Sequence, residues 1–183
     1  TKKDARVEEA DLEKLVRRIS AVSQKLDPAF IAPRALAQKV LEGFQDLIKT
    51  SQIDTLLAES MAYQSQRHPD FSKLAARIAV SALHKQTCSE FSQVAEVLMK
   101  NTDTTGEPSP ILSEEVATFI AENAKALNEA VEYERDYTYD YFGFKTLEKS
   151  YLLRVGDKVV ERPQDMLMRV SCGIHFPNLE QTI

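Results

Sequence analysis

The sequence predicts a mainly α-helical protein, and three observations carry the prediction. Apolar residues recur at spacings of three and four through most of the 183 residues, Gly and Pro are scarce at 5 and 7, and turn signals divide the periodic stretches at short intervals. A hydrophobic content of 43% beside 28% charged residues provides enough apolar surface for one or two compact units and is too apolar for a disordered chain.

The segment KKDARVEEA reads as extended or turn. Leu12, Leu15, Val16, Ile19, Val22 and Leu26 then keep helical spacing, and Asp27-Pro28 is expected to end that helix. Pro33 is placed to open a second helix with Leu36, Val40, Leu41, Phe44 and Leu47 inward; Gly43 within it is expected to mark close packing rather than a break. The pattern restarts at Thr50-Ser51. Ser51 and Asp54 have the spacing of a capping box, and Ile53, Leu56, Leu57 and Met61 form the stripe of a third helix. After the break at His68-Pro69-Asp70, a fourth helix runs through FSKLAARIAVSALHK, where Ala75, Ala76, Ala79 and Ala82 permit close approach of neighbouring backbones. Four amphipathic helices with short connections imply a small bundle.

Beyond it, SEFSQVAEVLMK predicts a further helix and NTDTTGEPSP an exposed connector over residues 100–110. Ser113 is placed to cap a helix running through Val116, Phe119, Ile120, Ala124 and Leu127. The tyrosine-rich run at 133–142 reads as a packed core ridge, because its interleaved acids would repel the phosphates that a base-stacking surface must hold. Two short strands, 151–155 and 158–161, flank Gly156-Asp157, a two-residue loop suited to a type II′ hairpin, and Pro163 starts the final helix, PQDMLMRVSCGI.

A formal charge of -5 disfavours broad nucleic-acid binding, since a phosphate backbone is held by surplus Lys and Arg. No apolar run approaches the roughly 20 residues of a membrane helix, and TKKDARVEEADLEK contains no apolar stretch of a secretory signal, so a cytoplasmic location is expected. Cys88 and Cys172 are distant and lack a CxxC partner; they are expected to be reduced thiols, neither zinc ligands nor a disulfide. His68, His84 and His175 stand apart in sequence and read as packed or capped side chains. No nucleophile triad, P-loop, dinucleotide fingerprint or metal-ligand spacing occurs. Lys2, Lys3, Arg6, Lys14, Arg17 and Arg18 crowd the beginning of the chain, among Glu8, Glu9 and Glu13. On composition alone they form either a solvated helix face or a site for a small anion.

The strings YDYFGFKTLEKSYLL and ERPQDMLMRVSCGIH, with the hairpin between them, resemble the corresponding stretch of class I ribonucleotide reductase large subunits. The N-terminal third resembles the ATP-cone that precedes this stretch in such subunits. KKDARVEEADLEK is similar to the family's KRDGR-x-E segment and helix start, and DTLLAESMAYQSQRHPDFSKLAARIAVSALHK to the rest of the cone. The resemblance implies a regulatory four-helix bundle capped by a small β-sheet over residues 1–88, then an incomplete helical part of the large subunit, with one hairpin, over 89–183. It implies ATP as activator and dATP as inhibitor, with Mg2+ accompanying the triphosphate. The matching nucleotide positions are Lys2, Lys3, Glu8, Glu9, Ala10, Asp11, Leu12, Glu13, Lys14, Thr50, Asp54 and Lys85. The lysines can hold a triphosphate, the N–H groups opening the first helix favour an anion, and Thr50 and Asp54 can hydrogen-bond base or sugar. Each also has a structural use: Asp54 or Thr50 can cap its helix, and Lys85 can complement a helix C-terminus. Two departures stand out. Ala5 occupies the family's turn-glycine position and resists positive φ, and Lys3 stands where an arginine is usual, without its planar fork.

The parent reaction implied by the resemblance is reduction of ribonucleoside diphosphates through a cysteine thiyl radical generated with a metal-containing small subunit. The family's catalytic residues lie downstream of the ERPQ-MLMRVS segment, so no catalytic residue is expected in this chain, and Cys88 and Cys172 match none. The expected partners are the small subunit and further copies of the large one, with neither nucleic acid nor membrane. Two other readings stand beside this one. An ATP-cone transcriptional regulator needs four closely paired zinc-ribbon cysteines where two separate ones exist, and a helical interaction module without ligand is separable by nucleotide titration.

Overall fold

The computed structural model describes residues 11–43 and 50–183. Among these residues the chain forms ten α-helices and one two-stranded antiparallel sheet. The chain divides into two compact units, Thr1–Ala82 with Thr138–Phe144, and Leu83–Tyr137 with Lys145–Ile183.

The first unit is built on α1 (Leu12–Val22), α2 (Pro33–Glu42), α3 (Thr50–Tyr63) and most of α4 (Asp70–His84). Asp11 caps α1, its carboxylate accepting from the N–H groups of Glu13 at 2.9 Å and Lys14 at 3.4 Å. The helix ends at Ser23, short of the predicted Asp27, because Lys25 takes a left-handed φ of 63°. Leu26 reaches the core from this turn rather than from the helix. Arg77 of α4 closes the helix end by donating to the carbonyls of Val22 at 3.0 Å and Gln24 at 2.7 Å.

Gly43 ends α2, its N–H reaching the Val40 carbonyl at 3.2 Å, so the glycine is a terminus and not the expected close-packing point. A Cβ there would meet only that carbonyl, at 3.5 Å. On α3 the buried positions are Asp54, Leu57, Ala58 and Met61, while Leu56, predicted inward, is exposed. The α4 helix has the predicted extent and buries Phe71, Leu74, Ala75 and Ile78 against Leu15 and Ile19 of α1 and the α2 and α3 stripes. The expected turn at Asp4-Ala5 lies outside the described residues, as do Phe44 and Leu47. The small sheet expected over these helices is not among the described elements.

In the second unit, α5 (Phe91–Met99) leads to an exposed loop whose Asp103 carboxylate accepts from the N–H groups of Thr105 and Glu107. Ser113 caps α6 (Glu114–Glu122) by accepting from Val116 N–H at 3.3 Å. The single helix predicted over this stretch divides at Asn123, where φ -108° and ψ 16° leave the helical region, and α7 (Ala124–Ala130) follows. Residues Tyr133–Thr138 form a 3₁₀ turn whose buried member is Asp136, with Tyr133 and Tyr137 half-buried, so this part of the expected core ridge is a polar turn, while Tyr141 packs against the first unit's core. After α8 (Tyr141–Ser150), β1 (Arg154–Val155) pairs with β2 (Lys158–Val159), Arg154 opposite Val159, across Gly156 at φ 57°. The strands are shorter than predicted because the Leu153 N–H turns to the Glu161 carboxylate at 2.9 Å. Pro163 opens α9 (Pro163–His175), and α10 (Leu179–Thr182) ends the chain's helices. Phe91, Ala95, Phe119, Ile120, Leu127 and Cys172 make this unit's core.

Candidate functional site

Five carboxylates are buried among the described residues: Asp54, Asp70, Asp136, Glu161 and Asp165. A buried carboxylate is costly unless donors surround it, and four of the five have both a backbone and a side-chain donor. Asp70 accepts from Asp27 N–H and from Lys73 Nζ, each at 2.9 Å. Asp136 pairs with His84 Nε2 at 2.7 Å and accepts from Gln164 N–H at 3.2 Å. Glu161 takes Leu153 N–H and the Nε and Nη2 of Arg169. Asp165 accepts from Tyr133 Oη at 2.6 Å and from Arg162 N–H at 2.8 Å.

Asp54 differs. Its partner among the described residues is Arg18 of α1, whose Nε stands 2.5 Å from Oδ1. The Nη2 of this partly buried guanidinium has no hydrogen-bond acceptor among the described residues. Desolvation pushes the Asp54 carboxyl above its usual range, with Arg18 opposing the shift. The register explains the placement: Asp54 heads the 54, 57, 58, 61 stripe of α3, a position that packing alone would give to an apolar residue. The capping role that its spacing from Ser51 allows involves a side chain outside those described, and the partner of Asp54 among the described residues lies on another helix.

The other predicted residues fall in three groups. Lys2, Lys3, Glu8, Glu9 and Ala10 lie outside the described residues. Asp11, Leu12, Glu13 and Lys14 form the first turn of α1: Leu12 packs on the core and Glu13 reaches Arg34 at 2.8 Å on the surface. Asp11 itself supplies the anion at this helix start, so the N–H groups of Glu13 and Lys14, expected to favour a bound phosphate, already donate to it. Thr50 begins α3. Lys85 is exposed, one residue past the end of α4, and belongs to the second unit.

Two of the three histidines are packed, as their isolation predicted. His84 sits edge-on to Tyr133 and Tyr137 beside Asp136, and His68 stacks on Phe30 at 4.1 Å. Both cysteines are free. Burial raises the Cys172 thiol to about 11, which leaves it protonated and inert at neutral pH.

Comparison with known proteins decides the family. Residues 1–86 match the family model of the ATP cone domain, and residues 137–182 match that of the ribonucleotide reductase all-alpha domain. The chain belongs to the ribonucleotide reductase large-subunit family. It is 45% identical over 176 residues, 96% of its length, to the ribonucleoside-diphosphate reductase large chain of Cryptosporidium parvum, covering 22% of that protein. It is 45% identical over its whole length to the large subunit of Caenorhabditis elegans and 44% identical to large chain 2 of Saccharomyces cerevisiae, covering 23% and 21% of them. It thus spans under a quarter of the relatives it matches. Every predicted nucleotide position, from Lys2 to Lys85, falls inside the ATP cone match. Arg18, the partner of Asp54, is not among the predicted positions. Its signal was indirect: an aspartate at the head of an apolar stripe demands a cation, and Arg18 adjoins the buried Ile19 of the facing helix.

Proposed function

We propose that this region senses adenine nucleotides for a ribonucleotide reductase large subunit, with ATP and dATP competing at the ATP cone to set the activity of the whole enzyme. The observation that supports it is the coincidence of the ATP cone match over residues 1–86 with a buried carboxylate, Asp54, that lacks a backbone donor among the described residues. Such a group is a directional acceptor for a sugar or base. Lys2, Lys3 and Lys85 supply charge to the triphosphate with its Mg2+, and the segment Glu8 to Lys14, with Thr50, lines the nucleotide. In this reading residues 1–88 are the regulatory domain and 89–183 the beginning of the helical part of the subunit. The partners are the small subunit and further large subunits, in the cytoplasm. Among the described residues no helix is long and apolar enough to cross a membrane.

Calorimetric titration of the 183-residue chain with ATP and dATP tests this. Lys85→Glu replaces attraction by repulsion and weakens both nucleotides by roughly 1–3 kcal/mol. Asp54→Asn changes an acceptor oxygen to a donor and alters the ratio of the two affinities more than their mean. Raised salt weakens wild-type binding, because exposed charges are screened over about 8 Å at physiological ionic strength. A folded wild type with no heat and no thermal shift at millimolar ATP or dATP with magnesium refutes the reading.

A further inference from the structure

Arg18 and Asp54 form a largely buried ion pair unlike that of Arg169 and Glu161. Arg169 grips Glu161 through Nε and Nη2, and Glu161 also receives the Leu153 N–H, so that pair is satisfied and explained as structure. Arg18 meets Asp54 through Nε at 2.5 Å, its Nη2 has no acceptor, and Asp54 receives no backbone N–H among the described residues. A buried pair so incompletely bonded contributes little to stability, and apolar residues of similar volume often serve as well or better. The two charges nevertheless occupy the buried edge of a helical core, where α3 otherwise places Leu57, Ala58 and Met61.

Resting on the nucleotide-sensing reading above, we infer that Arg18 is a positioning residue of the effector site: its guanidinium neutralises and orients the Asp54 carboxylate, so that an acceptor and not a neutral acid faces the nucleotide's sugar or base. The chemistry follows from burial. Desolvation favours the protonated acid, and the charge of Arg18 is what opposes it; among the described residues no charged group of α2 or α4 acts on Asp54. A protonated carboxyl donates through its O–H where the carboxylate only accepts, which inverts its match to a hydroxyl or amino group. Arg18 therefore decides which hydrogen bond Asp54 can make.

The test uses the full chain, with ATP and dATP as probes, titrated by calorimetry from pH 5.5 to 8.5. Wild-type affinity stays nearly level across neutral pH. In Arg18→Met the carboxyl is protonated more readily than in wild type, so affinity weakens towards the lower end of the range and recovers as pH rises. Arg18→Lys restores most of the wild-type profile. In an Asp54→Asn background, Arg18→Met adds no pH dependence, since the titrating group is gone. Nucleotide-free carboxyl resonances give an independent reading: the Asp54 midpoint moves up in Arg18→Met and back in Arg18→Lys. Thermal unfolding of Arg18→Met confirms that each titration reports a folded protein, and Arg18→Met/Asp54→Leu, folded with an apolar pair, loses the discrimination between ATP and dATP. An affinity loss that is the same at every pH, or an unmoved midpoint, overturns the role of Arg18 while leaving nucleotide sensing intact. A wild type that binds neither nucleotide overturns both.

Discussion

Burial raises both Asp54 and Asp165, but the compensation differs. Asp165 is fully buried and desolvation leads, bringing its carboxyl to about 6, against hydrogen bonds from Tyr133 and from Arg162 N–H and the charge of Arg162. The same surroundings raise the Tyr133 hydroxyl, through desolvation first and then Asp165, so the tyrosine remains a proton donor. The unfolded carboxyl titrates near 3.8. Between that value and about 6 the folded state binds the proton more tightly than the unfolded chain. Stability therefore falls as pH rises through this window and is level above it, a loss of roughly 3 kcal/mol from this one group. Asp165→Asn cannot ionise yet keeps an acceptor for Arg162 N–H, so it should remove that fall; urea midpoints from pH 4 to 7 that still decline as in wild type would contradict the assignment. Neither environment was legible in the sequence. Asp54 stood out by its match to a motif, but its pairing with Arg18 joins residues on different helices, and helical spacing fixes which face a residue takes without fixing what that face meets.

Helix existence was readable because apolar period is a property of one segment, whereas helix ends depend on neighbours. The first helix illustrates this. Its apolar pattern continues to Leu26, yet the backbone leaves the helix at Ser23, because Leu26 can reach the core from the turn while Arg77 satisfies the freed carbonyls from another helix. Asn123 likewise divides a pattern that reads as continuous, holding the Phe119 carbonyl with its own side chain at 2.8 Å. The loss of one such tie is measurable. Arg77→Met keeps the aliphatic stem and removes both donations to Val22 and Gln24, which should cost about 2 kcal/mol as charged hydrogen bonds to carbonyls. Arg17→Met, whose Nε meets only the Glu13 carbonyl on the exposed face, should cost less than about 0.5 kcal/mol. Equal losses in thermal unfolding would show that Arg77 is a surface group and not the closure of α1.

At the scale of the molecule, the residues of each hydrophobic core lie within a single compact unit: Leu15 to Ile78 in one, Phe91 to Cys172 in the other. Two cores with separate membership can open separately, and opening free energy then belongs to the unit and not to the chain. If ATP binds the cone, mass action stabilises only states in which the cone is closed. At a free concentration a hundredfold above Kd the stabilisation is about 2.7 kcal/mol, and amides that exchange through opening of that unit slow by about a hundredfold. Hydrogen exchange should therefore show that slowing at Ile19, Leu57 and Leu74, which are fully buried in the first core, while Phe91, Ile120 and Leu127 exchange at unchanged rates. The control is dATP at the same multiple of its own Kd, which must slow the same amides by the same factor, because linkage depends on occupancy and not on the identity of the effector. Slowing of both sets together would mean that the two cores open as one cooperative body, and that a nucleotide held by the cone is felt energetically in the second core.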